Sequence, residues 1–267
     1  MIFDGTQKTI GRGAQAEVLL YHGFAYKVYK ESYPAEWIAF EKGQQKAVNR
    51  AGLCPVRYYD TDDAHIIRMD FVDGDTLEKR MRELTAGAGA GPGGAAGNAP
   101  CIAPGGVPAG AGHALVSSPA DGFRLLAEAF RFVHQAASEA IAMPRLADTA
   151  GMGMSGEDRA AVLPVIERLS QKFGSCICHL DLHFLNIMLP NASDGYVIID
   201  WMNARLAPPV FDYARSYVIF DEFAKDAAGI YKAAVWPDLQ ALGVSEADFA
   251  EAVSACSVIR KHERGSC

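Results

Sequence analysis

From Ala86 to Gly112 the chain is almost entirely glycine, alanine and proline, and it carries no charged residue. A run with so little side chain to bury cannot offset the entropy lost on ordering. It therefore cannot belong to a core, and residues 86–117 are expected to form a disordered insertion. The apolar surface for folding must come from the two flanking stretches. Residues 1–72 are expected to form a front lobe, 73–85 a hinge with the first helix of a rear lobe, and 118–267 the remainder of that rear lobe.

The flanks carry different periodicities. Ala16 to Tyr21 and Phe24 to Tyr29 are rich in apolar and aromatic residues, with His22-Gly23 between them as a hairpin turn. Pro34 to Ala51 places Trp37, Phe40, Ala47 and Val48 at helical spacing, and Gly52 marks a stop. Arg57 to Asp60 and His65 to Phe71 read as further strands. Beyond the insertion, Ser118 precedes Pro119 as an N-cap precedes the first helical residue, and Phe123, Leu126, Phe130 and Val133 give that helix one apolar face. A second helical pattern, Glu157 to Phe173, contains Pro164, which implies a kink or two pieces. Short strands at Ile187–Leu189 and Tyr196–Ile199 flank a turn, and Val210 onward is largely helical. This order is α+β, with a strand-rich N-lobe and a mainly helical C-lobe.

The densest chemistry lies in His179-Leu180-Asp181-Leu182-His183-Phe184-Leu185-Asn186, directly before a strand, with Ile199-Asp200-Trp201 after the next strand. Phosphoryl transfer needs a group that orients the attacking hydroxyl and divalent metal against the phosphate charge. Asp181 and Asn186 on one loop, with Asp200 from the adjacent hairpin, can meet both needs. Asp181 is the candidate catalytic residue, and Asn186 and Asp200 are candidate oxygen ligands for Mg2+. Singly, each has a plain reading as a turn or strand-end residue; the motif in its strand–loop–strand context outweighs that reading.

Gly11-Arg12-Gly13-Ala14-Gln15-Ala16-Glu17-Val18 follows G-x-G-x-x-G-x-V with alanine at the third glycine. Glycines such as Gly11 and Gly13 let backbone approach phosphates closely. A dinucleotide fingerprint would need a helix next, whereas a strand and hairpin follow here. Strand alternation puts Ala25 and Lys27 on one face and Lys30 on the other, so Lys27 is the candidate phosphate ligand. Glu41, on the helix face shared with Trp37, Gln44 and Val48, is its expected ion-pair partner, with Glu36 as the alternative.

These parts arrive in kinase order. With Met69-Asp70-Phe71-Val72-Asp73-Gly74-Asp75-Thr76-Leu77 and Ile198 to Arg215, the chain resembles the aminoglycoside phosphotransferase family, which includes choline-kinase-like enzymes. The resemblance implies a bilobal protein-kinase-like fold and transfer of the γ-phosphoryl group of ATP or GTP to a hydroxyl of a small molecule. It implies that Met69, Asp70 and Phe71 form an interlobe hinge against the nucleotide base, and that Asp212 supports the catalytic loop. Protein kinases fit less well, because His183 stands where they usually carry lysine and Asp200 is followed by Trp201-Met202. Leu180 occupies a position where the family often has glycine.

A net charge of −7 argues against a nucleic-acid partner. No stretch reaches the roughly 20 apolar residues of a membrane span, and Met1 to Ile10 lacks a signal-peptide apolar run. The six cysteines form no C-x-x-C pair, so neither a zinc site nor a disulfide framework is expected, and Cys176 and Cys178 read as buried thiols in a reducing cytoplasm. His134 reads as a core histidine, Trp201 as packing, and Asp221, Glu222 and Asp226 as a solvated face. The acceptor is left open among aminosugars, choline-like alcohols and sugars, and the competing class is a pseudokinase-like module that binds nucleotide without transfer.

Overall fold

Five strands at the front of the chain form one antiparallel sheet: β1 (Lys8–Arg12), β2 (Ala16–Tyr21), β3 (Phe24–Tyr29), β4 (Tyr58–Tyr59) and β5 (Ile66–Asp70), in the order β1-β2-β3-β5-β4. The computed structural model describes residues 3–87, 116–138 and 141–265, so the expected insertion at 86–117 lies, apart from its ends, outside the described residues. β2 and β3 are joined by His22 and Gly23, with φ of 48° and 80°. Two left-handed residues match the right-handed twist of the flanking strands, which is why a His-Gly pair serves here. Alternation along β3 separates two small clusters. Tyr26 packs with Leu19 and Ile66 on one face, and Tyr29 packs with Ile38 and Ile67 on the other.

That second face is covered by α1 (Ala35–Arg50). Its buried stripe is Ile38, Glu41, Gln44, Gln45, Ala47 and Val48. Trp37, expected on the inward face, is 40% exposed and packs edge-on against Phe40. The inward stripe is centred one position later than the aromatic residues suggest, because the hydrogen-bonding needs of Glu41, Gln44 and Gln45 fix the rotation of the helix. Gln45 donates to the carbonyl of Val56 at 2.7 Å, and Gln44 donates to the carbonyl of Ala204 in the rear lobe.

β6 (Gly74–Thr76) follows β5 at once and crosses into the rear lobe, where it pairs with β8 (Ile187–Pro190), itself paired with β9 (Val197–Ile198). A separate ribbon joins β7 (Cys176–Cys178) to β10 (Arg205–Ala207). Around these lie α2 (Leu77–Gly87), α3 (Pro119–His134), α4 (Leu146–Thr149), α5 (Gly156–Phe173), α6 (Pro209–Phe223), α7 (Lys225–Ala241) and α8 (Glu246–Gly265). Ser118 caps α3 in a reciprocal box with Asp121, and Pro119 opens the helix. α5 runs through Pro164 as one helix; Pro164 is on its exposed side, where water can meet the carbonyl it leaves unpaired.

The large core belongs to the rear lobe. α6 lies at its centre, with every residue from Pro209 to Ser216 buried. A helix buried on all sides must satisfy its polar residues internally; Asp212 and Ser216 do so, while Arg215 pairs with Glu263 and leaves its Nε without a partner among the described residues. No helix among the described residues is long and apolar enough to cross a membrane.

Candidate active site

The β8–β9 hairpin brings the dispersed residues together. Ile187 pairs with Ile198, and the N–H of Ile199 donates to the carbonyl of Asn186 at 3.0 Å, so Asn186 and Asp200 lie at the same end of one hairpin. Asp200 has φ of 62° and opens a 3₁₀ turn over Trp201, which is buried and donates its indole N–H to the carbonyl of Ile198 at 2.9 Å. The side-chain amide of Asn186 donates to the carbonyl of Asp181 at 2.8 Å. With its nitrogen engaged there, its oxygen is the atom able to meet a cation.

Asp212 shapes the other end of the loop. Its two carboxylate oxygens accept the backbone N–H of His179 at 2.9 Å and of Leu180 at 2.8 Å. Leu180 has φ of 59°, a conformation glycine adopts freely and leucine does not. The loop thus keeps its left-handed step without glycine, while the leucine side chain gains burial. The His179 ring meets the carbonyl of Ile199 at 3.0 Å, and burial lowers its pKa, so it stays neutral.

Lys27 reaches across from the sheet. Its ammonium is 2.8 Å from Glu41 and 3.4 Å from Asp200, an ion-paired bridge between the lobes. Burial works against the charged ammonium, but Asp200 and Glu41 outweigh it and raise the lysine pKa well above its ordinary value. Lys27 lowers the pKa of Asp200, so that carboxylate is ionised, and its side chain is 43% exposed toward the cleft. Glu41 is held in turn by the hydroxyls of Tyr29 and Tyr58. The aromatic support of Glu41 was not anticipated; Tyr29 lies on the same strand face as Lys27, two residues on, and alternation alone would have pointed to it.

Asp181 sits differently. Burial is the main cause that raises its pKa to about 7, and the negative charge of Asp200 adds to it, against the opposing pull of Arg215 and Arg260. His183, 3.8 Å away, is lowered to about 4 by its own burial and is neutral. The site therefore holds one ionised carboxylate at Asp200 and one carboxyl poised near neutrality at Asp181. Paired carboxyl groups with separated acidities can divide charge-binding from proton handling.

The remaining expected residues are placed as follows. Gly11 lies within β1 opposite Val18, and Gly13 at the turn donates its N–H to the carbonyl of Ala16 at 2.8 Å, so the glycine segment is the tip of a hairpin. Met69 and Asp70 end β5 and Phe71 leads out of it. The Asp70 carboxylate is turned into its own lobe, accepting from Arg57 N–H and Tyr59 hydroxyl at 2.9 Å each, which leaves backbone at this edge. Glu36 lies on the exposed side of α1, and Glu41 is the partner Lys27 finds.

A sheet lobe that sends a paired lysine onto the acid following an H-x-D-x-x-x-x-N hairpin has the architecture of protein-kinase-like phosphotransferases. Comparison with known proteins agrees. The sequence profile of the phosphotransferase enzyme family matches residues 7–242, and the chain belongs to that family. Its fold is similar to that of aminoglycoside phosphotransferase APH(3'')-Id from Streptomyces rimosus, in complex with ADP and streptomycin, at 15% identity over 96% of this chain and 93% of that one, with a TM-score of 0.61. A choline/ethanolamine kinase family protein from Mesorhizobium loti aligns at 12% identity over 97% and 78%, with a TM-score of 0.54. Macrolide 2'-phosphotransferase type I aligns at 15% over 95% and 83%, with a TM-score of 0.52. No curated protein matches the sequence. As a member of this family the protein is an enzyme of the small-molecule phosphotransferase class.

Proposed function

We propose that this protein transfers the γ-phosphoryl group of ATP, with GTP as the alternative donor, to a hydroxyl group of a small molecule in the cytoplasm. The observation that carries this reading is the Lys27 ammonium held between Glu41 and Asp200, with Asp181 on the adjoining loop. Lys27 would grip the donor phosphates, and the hairpin tip at Gly11 and Gly13 would cover them. Asp200, ionised and open to the cleft, and the Asn186 amide oxygen suit a hard cation and would hold Mg2+, which when bound supplies positive charge against the phosphates. Met69 to Phe71 would border the base through backbone. Asp181 would accept the proton of the acceptor hydroxyl and align its oxygen with the phosphorus.

Acceptor class is a finer matter. The ADP and streptomycin complex of the Streptomyces rimosus enzyme supports an adenine donor and an aminosugar acceptor, and the choline/ethanolamine kinase likeness supports a small amino alcohol. A phosphoryl-transfer screen with ATP or GTP and magnesium over aminosugars, amino alcohols and sugars tests the proposal. One acceptor should be consumed in step with the nucleotide, and Asp181→Ala should slow that reaction by about 10²–10⁴-fold while leaving nucleotide affinity close to unchanged. Transfer at the wild-type rate in Asp181→Ala would reject the assignment.

A further inference from the structure

Immediately upstream of the loop that carries Asp181, three soft donor atoms converge. The sulfurs of Cys176 and Cys178 and a ring nitrogen of His134 all lie within 4.8 Å of one another. The two cysteines flank Ile177 on β7, so their side chains share one face of the strand, and His134 arrives from the last turn of α3. We propose that these three side chains form a binding site for a thiophilic metal ion of the zinc class.

Strand geometry favours an ion over a disulfide. Residues two apart on a strand have Cα atoms roughly 6.4–6.8 Å apart, the upper end of the range a disulfide tolerates, so joining these sulfurs would distort β7. The sulfurs stand 3.8 Å apart. Two thiolates at Zn–S distances of about 2.3 Å subtend an edge of about 3.8 Å in a tetrahedral site, so an ion can enter without moving the strand.

The histidine is prepared for the same role. His134 Nε2 lies 2.9 Å from Asp212, whose carboxylate already accepts two backbone N–H groups. The imidazole must therefore donate from Nε2, and in the neutral ring this leaves the lone pair on Nδ1. A carboxylate that fixes the far nitrogen is the usual companion of a metal-bound histidine. Ligation through Nδ1 would preserve the Asp212 contact.

Charge also balances. Two thiolates and a divalent cation sum to zero, which suits a place where Cys178 is fully buried and Cys176 half-buried. Binding would release the thiol protons. The carbonyl of Ala207, 3.3 Å from the Cys178 sulfur and 3.8 Å from that of Cys176, or a water entering past Cys176, completes four-coordination. Such an ion would pin α3 to β7 beside Asp212 and act as a structural clamp on the catalytic loop.

Cobalt(II) titration of the reduced full chain, followed through thiolate-to-cobalt charge-transfer absorption and then displacement by zinc, tests the site. Saturation at a single ion per chain is expected, with affinity falling about tenfold or more in Cys176→Ala and in Cys178→Ala. Cys256→Ala, at a buried cysteine held against the carbonyl of Phe211, should leave the titration unchanged. Cys176 is only half-buried, so Cys176→Ala decides the matter if Cys178→Ala does not fold. Zinc should raise the melting temperature of the wild type and not of Cys176→Ala. No charge-transfer band in the wild type, or an unaltered titration in Cys176→Ala, would overturn the proposal.

Discussion

Asp212 accepts the backbone N–H of Leu180 at 2.8 Å, and Leu180 takes a left-handed conformation at φ 59°. The left-handed step costs a leucine about 1–2 kcal/mol. Charge-assisted bonds from two successive N–H groups to one carboxylate contribute enough to offset it. The side chain that sets the backbone of the His179–Asn186 loop therefore lies on α6, at the centre of the rear core, and not within the loop.

Asp212→Asn tests that relationship. The amide keeps one acceptor oxygen but sets an NH2 against donors that had faced the second oxygen, His179 N–H and His134 Nε2. A buried donor without a partner costs about 1–3 kcal/mol. We expect a stability loss of that size, seen as a lowered thermal midpoint, and a fall in turnover larger than the stability loss explains, because His179, Leu180 and Asp181 are adjacent.

The acidity of Asp181 sets a pH dependence. In the proposed role of base it must be deprotonated, and its pKa is raised to about 7. The pH profile of kcat/KM should rise through about pH 7 toward alkaline values and fall away below it. The stability effect has the opposite sign. A carboxyl whose pKa is raised on folding favours the folded state at low pH and loses that benefit as pH climbs from its unfolded value to about 7. Asp181→Asn should therefore raise the melting temperature more at pH 8 than at pH 4, measured by differential scanning fluorimetry. A flat difference across that range would contradict the assignment of this group.

Glu41 is buried to 1% exposure, with Lys27 and the hydroxyls of Tyr29 and Tyr58 as its partners. Removing one member of such a pair strands the rest, at about 3–5 kcal/mol. Glu41→Ala should destabilise the fold by that amount, read as a lower urea midpoint at an unchanged m-value, and Glu41→Gln, which keeps an acceptor oxygen, by clearly less. Both should lose nucleotide affinity, read by isothermal titration, because Lys27 is left paired to Asp200 alone.

Gly74 lies where β6 passes β8, and a Cβ there would stand 2.2 Å from the carbonyl oxygen of Leu189 and 2.7 Å from the Cα of Pro190. Both obstacles are backbone, so the strands must part. Gly74→Ala should cost about 1–3 kcal/mol, seen as a lower thermal midpoint. It should also raise KM for the nucleotide, since β6 fixes the start of the rear lobe relative to β5.

Much of the fold could be read from residue order. β2 and β3 begin and end at the expected residues because a clean apolar run was bounded by a His-Gly turn. The α3 cap announced itself through Ser118-Pro119. The expected site residues Lys27, Glu41, Asp181, Asn186 and Asp200 come to one place, since spacing within motifs reports local geometry well. What escaped was set by partners far along the chain. The rotation of α1, which turns Trp37 outward, is fixed by the donors that Glu41 finds and the acceptors that Gln44 and Gln45 find on other elements. β6, β7 and β10 have three residues each, too short to show a period of two. The raised pKa of Asp181 comes from burial and from the charge of Asp200, against the pull of Arg215 on α6 and Arg260 on α8, and no local pattern encodes it.

The Lys27–Asp200 bridge joins residues from opposite lobes. Across it Lys27 and Asp200 meet each other's charge, and Lys27 keeps Glu41 at 2.8 Å as a second partner. An anion drawn to Lys27 would leave the Asp200 carboxylate without its partner, whereas a cation drawn to Asp200 would leave Lys27 with Glu41. On the proposed function, a metal-complexed polyanion would offer its anion to Lys27 and its cation to Asp200 together, so the bridge would part without stranding the carboxylate.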